Sequence, residues 1–201
     1  MFSPVGHDLE RGWPGRIDGD RVTQLAAQTL QSFFTGGGGA REHAEYPLDG
    51  VVLRAPVLHP PSVRIFDDDG DFRFANPAAI RGPEDTVRLP DGVDEIRPVL
   101  RVAAVIGADG AIGGFTLMND WLAPSLPGTK AHDFAISLGP VVITDTIDGL
   151  GDLVAVAARN TRLLPGDVIA APGEPKEPVG AGDIVELSLP PFGVLRSPVT
   201  R

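Results

Sequence analysis

The segment running from Val99 to Asn119 constrains the fold most. Val99–Ile106 is an apolar run rich in β-branched residues, Gly107-Ala108-Asp109-Gly110 has the composition of a turn, and residues 113–119 form a second apolar run. Two such runs around a Gly/Asp turn predict an antiparallel β-hairpin. Residues 136–144 and 184–189 read as further strands on the same grounds. Residues 150–160 (LGDLVAVAARN) predict the one convincing helix of the main domain. With Gly 25 and Pro 20 punctuating 201 residues, the chain favours many turns and short strands. The expected class is mixed and β-rich (α+β).

Residues 1–58 read as a small N-terminal module with its linker, and residues 59–201 as the main domain. In the module, a helical stretch carrying Leu25, Leu30, Phe33 and Phe34 is stopped by four glycines at 36–39. That glycine run lacks a following Lys-Ser/Thr, so a flexible linker is expected there and not a phosphate cradle. Asp67-Asp68-Asp69-Gly70 reads as a hairpin tip, because the spacing and terminal Glu of an EF-hand are missing.

Charge narrows the partners. A net charge of −10 and a pI near 4.7, with two lysines and scattered arginines, offer no basic face for nucleic acid or anionic lipid. No apolar run approaches the roughly 20 residues of a membrane span, and the first residues do not resemble a signal peptide. A cytoplasmic protein acting on a small molecule is expected. With no cysteine, thiolate chemistry and zinc–thiolate sites are excluded. No Gly-x-Ser-x-Gly elbow occurs.

Four segments, in order, resemble the fumarylacetoacetate hydrolase superfamily. They are Phe74-Ala75-Asn76-Pro77 through Gly82-Pro83-Glu84-Asp85; Val102-Ala103-Ala104-Val105-Ile106-Gly107; residues 114–121, ending in Asn119-Asp120-Trp121, followed by Lys130-Ala131-His132-Asp133-Phe134 and Ser137-Leu138-Gly139-Pro140; and residues 160–169, ending in Pro165-Gly166-Asp167-Val168-Ile169, followed by residues 182–186 and 193–196. The resemblance implies a twisted mixed β-roll, usually assembled as a homodimer, in a shortened and divergent member.

It also implies a site. Relatives hold Mg²⁺ or a similar ion with a Glu-x-Glu on one strand and the Asp of Asn-Asp, since hard cations take oxygen ligands and residues two apart on a strand share a face. Here the Glu-x-Glu positions read Val99-Leu100-Arg101, while Asp120 is kept. The lid interval shrinks to residues 63–74 and carries no His. The resemblance therefore implies no metal, with Mg²⁺ disfavoured. A variant reading keeps a metal on Asp120 with Asp67, Asp68 or Asp69, as in a residual C–C hydrolase or decarboxylase.

The candidate catalytic residues are Asp120, Lys130 and His132; the candidate substrate-binding residues are Arg101, Asn119, Trp121 and Asp133. Arg101 either sits where the ion sat and binds an enolate or carboxylate, or fills the hole as an ion pair with Asp120. Lys130 resembles the lysine facing the substrate oxyanion, and His132 suits proton transfer near neutral pH. Trp121 is a pocket wall or core. The expected function is metal-free isomerase, cyclase or tautomerase chemistry on an enolisable oxo- or dicarbonyl compound, in the biosynthesis of a small molecule. The alternative is an inactive binding protein of the same fold.

Overall fold

The computed structural model describes residues 1–7 and 9–201. Its centre is an eight-stranded mixed sheet. Along the main path the strands run Phe72–Ala75, Val63–Phe66, Val168–Ala170, Val99–Ile106, Ile112–Asp120, Ile136–Ile143 and Ile80–Arg81. The eighth, Glu174–Pro175, pairs with the start of Val99–Ile106. Val99–Ile106 and Ile112–Asp120 form the expected antiparallel hairpin, with Arg101 opposite Met118 and Ala103 opposite Thr116.

Successive strand residues point to opposite faces, and the sheet is apolar on both. Ala103, Val105, Met118, Val63, Ile65 and Val168 build one buried cluster. Their neighbours Ala104, Ile106, Leu117, Phe66 and Ile169 belong to a second, larger cluster. The helix Leu150–Ala158 buries Leu150, Val154 and Ala157, a spacing of four and three that gives one helical stripe. That stripe joins the larger cluster.

The first helix is shorter than the sequence suggests. Arg21–Leu25 is a strand, paired with Gly15–Asp18 on one side and Glu42–Pro47 on the other, and the helix spans only Leu30–Thr35. Thr29 and Ser32 explain the late start. The Thr29 hydroxyl accepts from the Ser32 amide at 3.0 Å, and the Ser32 hydroxyl accepts from the Thr29 amide at 2.9 Å. This reciprocal cap satisfies two of the helix's free N–H groups and fixes where it begins. Phe34 then lies against Gly113, where a Cβ would come within 2.7 Å of the ring. Only glycine permits that approach, so the first helix packs on the central hairpin.

Asp67-Asp68-Asp69-Gly70 is indeed a hairpin tip. The Gly70 amide donates to the Asp67 carbonyl at 3.1 Å, with Gly70 at φ +82°. Phe66 then pairs with Phe72 and Ile65 with Arg73. This register has a consequence for the site. Ile65 faces the smaller cluster, so Arg73 faces the same way.

Candidate functional site

Four side chains meet at one end of the smaller cluster's face. Asp120 ends the strand Ile112–Asp120 and is completely buried. Arg101 lies on the adjacent strand, two residues before Ala103, so both project from the same face. Nε and Nη2 of Arg101 each lie 3.2 Å from Oδ2 of Asp120. Its Nη1 donates to the carbonyls of Phe66 and Ala171, both at 3.0 Å. Arg101 is 8% exposed, and nearly all its donors are committed inside the protein.

Arg73 is the residue that the sequence reading missed. Its Nη2 donates to Oδ1 and Oδ2 of Asp120 at 2.7 and 2.6 Å. The interval read as a lost lid thus supplies a second guanidinium. A signal for it existed in the pattern: with the turn at Asp67–Gly70, period-two alternation from Val63 and Ile65 sends Arg73 to the same face. His132 completes the group. Its Nδ1 is 3.2 Å from Nη2 of Arg73 and 3.7 Å from Oδ1 of Asp120.

Burial alone pushes the Asp120 carboxyl up. His132, Arg73 and Arg101 oppose it, and together they hold the group below the ordinary carboxylate value. Asp120 is therefore an anion clamped between two cations.

The other predicted residues lie as follows. Asn119 faces the opposite side of the sheet, where its Oδ1 accepts from the Val99 amide at 2.9 Å. Trp121 is fully buried in the larger cluster and donates Nε1–H to Ser137 at 3.0 Å. Val99 shares the Arg101 face and is nearly buried. Lys130, on the short turn Gly128–Ala131, is 72% exposed, and its Nζ lies 2.9 Å from Oδ2 of Asp133. Asp133 and His132, with Arg73, Asn76 and Thr129, line a small cleft of about 70 Å³ beside the ion cluster. Asn76 braces it by donating Nδ2–H to the Asp133 carbonyl at 3.0 Å.

These residues do not fit a divalent cation. Both oxygens of Asp120 are taken by guanidinium groups, and a dication placed there would meet two positive charges within a few ångströms. Among the described residues no group of three or more His, Asp or Glu side chains converges on a common point. Asp67, the nearest of the acidic turn, lies 4.0 Å from Nη2 of Arg101 and more than half exposed. Among the described residues no helix is long and apolar enough to cross a membrane.

No protein-family model matches the sequence, and no curated protein matches it either. Solved structures do. The 5-carboxymethyl-2-hydroxymuconate delta-isomerase of Mycobacterium smegmatis is 24% identical, with 94% of each chain covered and a TM-score of 0.77. The maleylpyruvate hydrolase of Sphingobium sp. SYK-6, in complex with manganese(II) and pyruvate, is 20% identical, with 94% of this chain and 96% of that one covered and a TM-score of 0.78. The 2-hydroxyhepta-2,4-diene-1,7-dioate isomerase of Mycobacterium marinum is 22% identical, with 94% and 93% covered and a TM-score of 0.75. The likeness runs over nearly the whole of each chain, and the protein has the fumarylacetoacetate hydrolase fold that its four motifs led us to expect.

Proposed function

We propose that this protein is an enzyme that catalyses a proton-transfer reaction of an enolisable oxo- or dicarbonyl compound, of isomerase, tautomerase or cyclase type, without a divalent metal. The observation that carries this reading is the pair of guanidinium groups on Asp120, directly beside a cleft lined by Arg73, His132 and Asp133. Similar structures include two proteins named as isomerases, and one named as a hydrolase that holds manganese and pyruvate. In this chain the positive charge next to Asp120 comes from arginine.

The chemistry needs three parts. A donor set must stabilise the oxyanion of an enolate, a base must take the carbon-bound proton, and water must be partly excluded. His132, backed by the charge of Arg73, supplies the donor at the cleft wall. Asp120 is too tightly held to act as the base, because two arginines stabilise its ionised form. Asp133 is the carboxylate that lines the cleft, and it takes the proton from carbon in this scheme. Returning the proton to a different carbon completes an isomerisation with no net consumption of any group. Arg101 acts through Asp120, fixing it in place.

The test is deuterium uptake from D₂O at the α-carbon of a panel of 2-oxo and 2,4-dioxo acids, followed by proton NMR with EDTA present. Uptake faster than in buffer, insensitive to EDTA and lost in Asp133→Asn, is the expected result. Uptake at the buffer rate across the panel contradicts the proposal.

A second reading, a binding protein without turnover, draws on the small size of the cleft and on Lys130, which is turned to Asp133 at the surface. Calorimetric heat with the same acids but no deuterium uptake would favour it. A homodimer is proposed for either case; Ile184 and Val194, exposed on the outer face of the last hairpin, are apolar groups that a second copy would cover. Sedimentation velocity tests it.

A further inference from the structure

Building on the reading of this cleft as the reactive site, we infer that Arg73 is a positioning residue that fixes the tautomer of His132 and makes it a donor to the ligand. Nη2 of Arg73 has two hydrogens. Nη2 lies 2.6 and 2.7 Å from the two Asp120 oxygens and 3.2 Å from Nδ1 of His132, and its two hydrogens suffice for both partners. A guanidinium has no acceptor, so Nδ1 must accept in this contact. A neutral imidazole that accepts at Nδ1 carries its hydrogen on Nε2. Asp120 is the weaker partner for Nδ1, because its nearest oxygen is 3.7 Å away against 3.2 Å for Nη2 of Arg73.

The consequence is chemical. In a carboxylate–histidine pair the acid takes Nδ1–H and leaves Nε2 free to act as a base. Here the arginine stands between the carboxylate and the ring, and the arrangement is inverted. Nε2–H is a hydrogen-bond donor, suited to the carbonyl or enolate oxygen of a ligand in the cleft that His132 lines. Proton abstraction from carbon then belongs to a different group, which agrees with the assignment of Asp133.

The test is a long-range ¹H–¹⁵N correlation spectrum of the intact protein at mildly alkaline pH. The chain has four histidines, and the His132 signals are those that vanish in His132→Gln. The Nε2–H pattern is expected in the native protein and in Arg73→Lys, whose ammonium also only donates. Arg73→Met removes the donor, and the population is expected to shift towards Nδ1–H facing Asp120. An Nδ1–H pattern in the native protein, or an unchanged pattern in Arg73→Met, overturns the inference. Should the methionine variant fail to fold, the native and lysine spectra decide alone. The readout does not use turnover, so it fails or holds separately from the deuterium-uptake assay.

Discussion

A buried ion cluster and an exposed ion pair stand side by side around the cleft, and their surroundings differ completely. Asp120 is sealed in the sheet between Arg73 and Arg101, while Lys130 and Asp133 meet at the rim with the lysine largely in water. A pair in water gains little, because solvent screens it and both side chains lose freedom. A buried charge has no such alternative, and must be matched or removed. The buried cluster is therefore the part of the site that the fold cannot leave half-matched, and the rim pair is the part that is free to exchange its partner for a ligand.

That contrast can be broken most severely at Asp120. Asp120→Leu leaves two guanidinium groups facing each other in the interior, and a loss of about 3–5 kcal/mol is expected in chemical denaturation. Adding Arg101→Met to that variant should restore part of the loss, since a buried pair replaced by apolar groups is far less costly than one broken in half. Arg101→Met alone orphans the carbonyls of Phe66 and Ala171 but leaves Arg73 on Asp120, so about 2–3 kcal/mol is expected. If the single and double variants cost the same as the sum of their parts, the cluster is not acting as a unit.

The pH dependence follows from the direction of the Asp120 shift. Its folded-state value lies below the unfolded one, so its contribution is present above the unfolded value of about 3.9 and is lost as pH falls through the lower folded value. Denaturation midpoints of the native protein should therefore drop in that acid window more steeply than those of Asp120→Leu with Arg101→Met. At the rim, Lys130→Ala is expected to change stability by about 0.5 kcal/mol or less. A loss several times larger would show that the exposed pair is structural after all.

The sheet was legible because its strands are long and repetitive. Val99–Ile106 and Ile136–Ile143 carry β-branched residues between clear turn residues, so local sequence sufficed. Arg21–Leu25 was not, because its apolar residues are few and only pairing with two neighbouring strands makes it extended. The Arg101–Asp120 contact could be anticipated from the replaced ligand positions, being two residues on neighbouring strands. Arg73 could not be found that way. It reaches Asp120 across 47 positions of sequence, and its own surroundings, Phe72 and Phe74, say nothing about an acid. Only the register of a hairpin turned at Asp67–Gly70 places it. Asn119 and Trp121 show the other limit, since residues either side of Asp120 along a strand must face away from it.

We propose that guanidinium groups stand at Asp120 in place of a metal. The decisive measurement is titration calorimetry of Mn²⁺ into the native protein, with Arg101→Glu as the counterpart carrying a carboxylate at that position. No saturable heat is expected in the native protein, and Mn²⁺ binding is expected to appear only when the arginine becomes glutamate. Stoichiometric Mn²⁺ binding by the native protein would contradict it.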